Sequence, residues 1–327
     1  MADGPLRIAV LGCADIAWRR MLPAVVATPG IRLVAVAGRD RARAARFAAE
    51  FGGEPVEGYE QVLARPDVEA VYVPLPPGLH AEWVGAALRA GKHVLAEKPL
   101  ATTAAAAASL VALAGRRGLV LLENYMFVRH PLHAEVRRLL GDGVLGELRG
   151  FTGVFGVPPR PDGDIRYRPA PAGGALTDLG GYPVRAAQLF LGPELDVVAA
   201  TARYDLRRAV DLSGTALLVT SAGVSAQLAF GLESSYRCAY ELWGSQGRLV
   251  VDRAFTPPPD HAPRILVERR GSTTEKVVAP RDQFAEVLRA FVLAVREGRA
   301  CDLGGGAILR QAALVDRIRE TAVWAGM

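Results

Sequence analysis

Three side chains in this sequence combine a reactive type with a position that restrains it. Lys98 stands in Glu97-Lys98-Pro99, directly after the apolar run Val94-Leu95-Ala96. That run reads as a short buried strand; the proline stops it and holds Lys98 in an extended backbone. An ammonium delivered at a strand's carboxyl end lies on the edge where open α/β sheets bind ligands. Lysine occurs only at positions 92, 98 and 276, so Lys98 is consistent with a need for a compact charge of adjustable pKa. A solvated strand end is the plainer alternative. Asp178 and Tyr182 lie in Gly173-Gly174-Ala175-Leu176-Thr177-Asp178-Leu179-Gly180-Gly181-Tyr182-Pro183, four apart and so on one face of a helix. A phenol there can protonate a developing alkoxide if a nearby cation acidifies it, and it can equally be a structural tyrosine bonded to Asp178. His80, after a proline-rich loop, is expected at a helix N-terminus on the same edge as Lys98, where capping or packing is its simpler role.

The elements that must carry these residues alternate regularly. Leu6–Leu11 reads as a strand, followed by Gly12-Cys13-Ala14-Asp15-Ile16-Ala17 and a helical pattern in which Pro23 demands a kink or restart. Strand, glycine turn and helix form the phosphate-binding opening of a dinucleotide fold, although Ala14 and Ala17 replace two glycines of the full fingerprint. Ile31–Ala37, Ala70–Val73, Val94–Ala96 and Leu119–Leu122 are expected as further parallel strands, with helices over Ala81–Ala90 and Ala104–Ala114. Gly38 stands where an NAD site usually has a carboxylate, and Arg39 with Arg43 one turn on can fork around a 2′-phosphate, which favours NADPH. After Glu123 the pattern becomes strands in series: Glu147–Val154, Val197–Tyr204, Leu212–Thr220, Val224–Gly231, Arg237–Trp243 and Arg248–Val251. Helices are expected over Leu132–Leu140, Gln283–Arg296 and Ala307–Trp324, and Pro257-Pro258-Pro259 as a surface loop. The fold expected is a Rossmann doubly wound parallel sheet over 1–122, plus a C-terminal α+β domain over 123–327 with a large, mostly antiparallel open sheet. The last helix is free to return onto the Rossmann domain.

Composition bounds the function classes. Half the residues are hydrophobic and 22% charged, ordinary for a soluble globular protein of two domains. No apolar run is long enough to span a bilayer, and the start MADGPLRIAVLG lacks the parts of a signal peptide. Cys13, Cys238 and Cys301 are odd in number and without metal-ligand spacing, so reduced thiols in the cytoplasm and no metal are expected. The net charge of +5 suits anionic small molecules; the arginines are scattered and no nucleic-acid-binding motif accompanies them.

Taken together, LGCADIA, His80, AGKHVLAEKPL and GGALTDLGGY resemble the glucose–fructose oxidoreductase / inositol dehydrogenase (Gfo/Idh/MocA) family, in the right order over most of the chain. The resemblance implies a Rossmann domain followed by a domain whose open sheet mediates oligomerisation, here a homodimer or homotetramer. It places the catalytic lysine at Lys98, often followed by a cis bond to proline, and the family's aspartate, with a second catalytic group four residues on, at Asp178 and Tyr182. Many relatives have histidine at the latter position. It implies cofactor contacts at Gly12, Cys13, Ala14, Asp15, Ile16, Ala17, Gly38, Arg39, Leu75, His80, Glu97, Arg166 and Asp178. GCADIAWRRMLPA and GGALTDLGGYPVRAAQLFLG are similar, more closely, to nucleotide-sugar C-3 ketoreductases of deoxysugar biosynthesis. That likeness implies reduction of a dTDP-3,4-diketo-2,6-dideoxyhexose with NADPH, with Tyr182 or Lys98 as proton donor. Arg19 and Tyr236 join them as substrate contacts, Tyr236 stacking on thymine. A dehydrogenase of free sugars, cyclitols or dihydrodiols and a non-catalytic cofactor-bound regulator are the competing classes.

Overall fold

The computed structural model describes residues 4–169, 173–299 and 301–326; the first three residues of the opening stretch lie outside them. The chain forms two compact units. One runs to Tyr125 and takes in Gln283–Leu309; the other comprises Met126–Asp282 with Arg310–Met327.

The first unit is a doubly wound α/β layer structure. Its strands are β1 (Leu6–Leu11), β2 (Ile31–Gly38), β3 (Glu54–Glu57), β4 (Ala70–Val73), β5 (His93–Ala96) and β6 (Leu121–Glu123). They form one sheet in the order β3-β2-β1-β4-β5-β6, with every pairing parallel. Helices cover both faces, so the central strands are continuous apolar runs buried on both sides. The helices are α1 (Leu22–Ala27), α2 (Arg41–Phe51), α3 (Glu60–Leu63), α4 (Pro77–Arg89) and α5 (Ala104–Arg117). Local chemistry sets their ends. Asp40 caps α2 by accepting from the amides of Ala42 and Arg43, and Thr103 caps α5 by accepting from Ala106. Before α1 the chain makes a π-helical turn over Ala17–Met21. Pro23 has no N–H and crowds the carbonyl four residues earlier, and the widened turn accommodates it.

The second unit begins with a 3₁₀ turn, Met126–Arg129, and α6 (Pro131–Gly141). It continues through β7 (Leu148–Gly156), α7 (Gly181–Leu191), β8 (Asp196–Asp205), β9 (Val210–Val219), β10 (Ser225–Gly231), β11 (Arg237–Gly244), β12 (Arg248–Asp252), β13 (Arg264–Arg269) and β14 (Ser272–Val277). α8 (Gln283–Glu297) belongs to the first unit and packs on α1. α9 (Gly306–Thr321) and β15 (Ala322–Gly326) end the chain. The nine strands form one open sheet, β14-β13-β12-β11-β7-β10-β9-β8-β15, antiparallel except for β10 with β7 and β15 with β8.

Four expectations are corrected. The edge strand β3 and the hairpin β13–β14 were not anticipated. α4 starts at Pro77, before His80, because proline fits the first helical turn, where its missing N–H has no partner to lose. The last helix stops at Thr321, and residues 322–326 pair with β8 instead. Pro257 is buried within its loop.

Within the first unit α8 is tied to the sheet by charge: Arg296 donates to Glu69 at 2.8 and 3.1 Å, and Glu69 also accepts from the Arg7 amide. Burial works against the Glu69 carboxylate, but these partners hold its pKa below the usual range. Arg296→Ala is expected to lower the unfolding free energy by about 1–3 kcal/mol, measured by urea denaturation; an unchanged midpoint contradicts this role.

Candidate functional site

The first unit brings its candidates to the carboxyl edge of the parallel sheet. Gly12 follows β1 with φ +122°, and a Cβ there would meet Leu75 Cδ2 at 2.8 Å. The positive φ favours glycine here, and a side chain would also have to displace the tip of Leu75. The helical segment starts at Asp15, with Trp18 N–H donating to Ala14 O at 3.1 Å. Ala14 therefore serves as the first acceptor of that helix, and the amides of the turn face away from any intrahelical partner. Arg19 Nε donates to Asp15 Oδ2 at 2.7 Å, an exposed pair one turn apart.

At the end of β2, Gly38 is buried against Cys13: a Cβ would lie 3.2 Å from Cys13 Sγ and 3.1 Å from Asp40 O. Burial raises the Cys13 thiol pKa, Arg43 pulls it down and Asp40 pushes it up. Burial likewise raises the Tyr59 phenol, with Arg39 and Arg43 opposing. Arg39 and Arg43 are exposed, so the β2 end presents two guanidinium groups beside a thiol and a phenol.

The Lys98–Pro99 peptide is cis, and Lys98 is half-buried. Glu97 beside it accepts from Tyr72 Oη at 2.8 Å and from Asn124 Nδ2 at 2.6 Å. Burial raises the Glu97 carboxyl pKa, and Asn124, Tyr72 and Lys98 only partly counter it. Glu123 accepts from the Leu100 amide at 2.8 Å, bracing the loop after Pro99. His80 has no exposed surface; Nδ1 lies 2.7 Å from Pro99 O and Nε2 2.6 Å from Leu75 O. The ring nitrogens implied as a cofactor contact are thus engaged by the protein's own carbonyls.

In the second unit, Asp178 falls in a π-helical turn, Leu176–Gly180, immediately before α7. Asp178 Oδ2 accepts from Arg166 Nε at 2.6 Å, and Arg166 Nη1 also reaches Asp164 at 3.1 Å. Burial opposes the charge on Arg166, and the two carboxylates more than offset it. Tyr182 is only 5% exposed, packed edge-on to Phe155 with ring centroids 5.1 Å apart and beside Phe127 and Phe255. Its hydroxyl lies 4.0 Å from Met126 Sδ. The neighbouring glycine answers to packing: a Cβ on Gly180 would press on Phe230 at 3.1 Å. Tyr236 is 45% exposed, with the Arg253 guanidinium 5.6 Å above its ring.

Sequence reasoning missed the residues that hold this segment. Asp211 accepts from the Leu176 amide at 2.7 Å, capping the helical start from another strand. Gln311 donates to Gly181 O at 2.8 Å and accepts from Gln188 at 2.6 Å. The cis-proline loop's partners Tyr72 and Asn124 were also missed. A carboxylate placed after Ala96 and followed by lysine was the one signal that could have prompted a search for buried donors. Among the described residues no group of three or more His, Cys, Asp or Glu side chains could hold a metal ion, and no helix is long and apolar enough to cross a membrane.

Two family-wide sequence patterns match the chain. One, described as an oxidoreductase family with an NAD-binding Rossmann fold, covers residues 6–125; the other, a GFO/IDH/MocA C-terminal domain, covers residues 133–250. The chain is 52% identical over 318 residues to a dTDP-3,4-didehydro-2,6-dideoxy-alpha-D-glucose 3-reductase of Actinomadura kijaniata, spanning 97% of this chain and 96% of that one. A reductase of the same description from Saccharopolyspora spinosa is 53% identical over 322 residues, 97% of each chain. The crystal structure of KijD10, a 3-ketoreductase from Actinomadura kijaniata in complex with NADP and TDP-benzene, superposes with a TM-score of 0.96 at 51% identity, covering 99% of this chain and all of that one.

The aromatic nest around Tyr182 carries a titratable member. His133 is buried with Nδ1 3.0 Å from Tyr240 Oη and Nε2 3.0 Å from Ala254 O. The carbonyl can only accept, so Nε2 donates to it and Nδ1 accepts from the phenol. Burial, aided by His130, lowers its pKa from 6.5 to about 3. Between those values the unfolded chain binds a proton that the folded one does not, so stability falls as pH falls through that window. His133→Gln is expected to flatten the fall in unfolding free energy between pH 6.5 and about 5, read by urea titration. An unaltered slope contradicts a neutral buried His133.

Proposed function

The chain belongs to the Gfo/Idh/MocA oxidoreductase family, and from that premise we propose that it is an NADPH-dependent C-3 ketoreductase of a dTDP-3,4-diketo-2,6-dideoxyhexose, working in deoxysugar biosynthesis. The observation that carries the reading is the end-to-end likeness to dTDP-sugar 3-reductases, at more than half of all positions. The residues at the sheet edge and around Tyr182 are chemically suited to it.

The turn at residues 12–17 suits a dinucleotide's pyrophosphate: it follows β1, its Gly12 takes a positive φ that favours glycine, and a helical segment starts at Asp15 with unpaired N–H groups at its head. Gly12, Cys13, Ala14, Asp15, Ile16 and Ala17 are assigned to the diphosphate. Gly38 with Arg39 and Arg43 is assigned to the 2′-phosphate, and Leu75, Glu97, Arg166 and Asp178 to the rest of the coenzyme. NADPH, when bound, supplies the hydride that the sugar's C-3 receives. The C-3 oxygen then needs one proton. Lys98 and Tyr182 serve that oxygen, one donating and the other polarising and orienting it. Their unperturbed pKa values are close, roughly 10 for each. We assign the donor role to Lys98, the group that the family shares, and the orienting role to Tyr182, whose ring is fixed by three phenylalanines. Lys98 recovers its proton from solvent. Arg19 and Tyr236 are assigned to the nucleotide-sugar. The second unit's sheet, which exposes Val198, Trp243 and Val323, is assigned to homodimer or homotetramer formation.

The purified chain is expected to oxidise NADPH with a dTDP-linked diketo sugar, and dTDP to raise the melting temperature of the NADPH complex. Turnover of free sugars with none of dTDP-linked ones contradicts the reading and favours a free-sugar dehydrogenase. Lys98→Ala is expected to lower kcat by about 10²–10⁴-fold, the range of general acid catalysis, in steady-state assays; wild-type kcat removes Lys98 from the chemistry. Arg39→Asp is expected to shift coenzyme preference towards NADH, measured as the ratio of kcat/KM for the two coenzymes; an unchanged ratio contradicts the arginine assignment.

A further inference from the structure

His80 is a buried group that touches two separate loops of the sheet edge at once. Its Nε2 meets Leu75 O at 2.6 Å and its Nδ1 meets Pro99 O at 2.7 Å. Leu75 is the residue whose side chain covers Gly12, its Cδ2 lying 2.8 Å from where a Cβ on Gly12 would stand. Pro99 follows Lys98 directly. One imidazole, with no solvent exposure, therefore spans from the cover of the glycine turn to the loop that presents the ammonium.

The chemistry of the contacts makes the link directional. A carbonyl oxygen only accepts, whereas a neutral imidazole carries a single N–H and accepts at its other nitrogen. One contact is a hydrogen bond in either tautomer, and both become hydrogen bonds when the ring holds two protons. Burial disfavours that charge, with Lys98 adding to the effect, while the two carbonyls favour it. In each state the ring bridges the same two loops. Side-chain volume alone would not give this arrangement: an apolar residue in the space leaves two inward-facing carbonyls without a donor.

We propose that His80 is a positioning residue: it fixes the Lys98–Pro99 loop relative to the Leu75–Gly12 contact, so that the lysine's placement is set by the part of the fold that holds the coenzyme. This deepens the reductase reading and rests on it for the meaning of Lys98, but the link itself is a property of the first unit. His80 does not touch the reacting atoms; it acts through Lys98.

The test uses the intact chain and the three lysines it contains. Competitive acetylation with labelled acetic anhydride, read by peptide mass spectrometry, gives the reactivity of Lys98 relative to the exposed Lys276, with NADPH present and absent. His80→Leu, which removes both contacts, is expected to change the Lys98:Lys276 ratio severalfold. His80→Asn, which keeps one short donor, is expected to give an intermediate ratio. In the reductase assay His80→Leu is expected to lower kcat by about tenfold or more with KM little changed, as misplacement of a reacting group does. A folded His80→Leu protein with the wild-type labelling ratio overturns the proposal. Should the leucine variant not fold, the wild-type protein decides by NMR of ¹⁵N-histidine: an exchange-protected ring N–H on His80 is expected, and a ring with no protected N–H overturns the bridge. Labelling requires no sugar, so a wild-type protein inert towards dTDP-sugars counts against the proposed substrate alone.

Discussion

Parallel pairing is the constraint from which the first unit's chemistry follows. Because all six strands run the same way, their carboxyl ends emerge on one edge, and each loop leaving that edge begins beside the others. Gly12, Gly38, Leu75, Lys98 and Asn124 are far apart in sequence, yet each stands at or just beyond a strand end. The order β3-β2-β1-β4-β5-β6 reverses direction between β1 and β4, the place where such sheets open a crevice. The buried strands cannot shift without unpairing backbone groups in an apolar interior. That rigidity is what makes a lysine at a strand terminus a positioned group.

The second unit holds its candidate residues differently, through buried polar groups with full partners inside an aromatic core. Tyr182 sits among rings, and those rings are set in turn by His133, which joins Tyr240 to a backbone carbonyl. Asp211 and Gln311 secure the backbone on either side of Asp178. Each of these side chains would be costly to bury alone, and each becomes stabilising once satisfied. Arg166 illustrates the balance: its half-buried positive charge is faced by two carboxylates.

Much of this could be read from sequence, and the failures have physical causes. The central parallel strands are apolar on both faces, so they appear as unbroken runs, and the Gly12 turn and the Glu97-Lys98-Pro99 stop announce their ends. β3, with a proline between glutamates, is an edge strand with little to bury and shows no such run. β14 is exposed along its whole length and reads as loop. Residues 322–326 continue a helical pattern and are drawn into a strand only by the edge of β8, a tertiary influence on local preference. Lys98 and Tyr182 stood out because reactive side chains followed breakers or glycines. Asp211 and Gln311 carried no such mark, since they act on segments 35 and 130 residues away. His80 was visible as a position, but its work is done by two backbone carbonyls that sequence does not display.

In the proposed reaction a hydride from NADPH arrives at C-3 of a nucleotide-linked keto sugar. The most direct measurement is reduction with NADPH deuterated at nicotinamide C4, followed by NMR of the product sugar. Deuterium at C-3 is the predicted result; deuterium at C-4, or an unlabelled sugar, would contradict it.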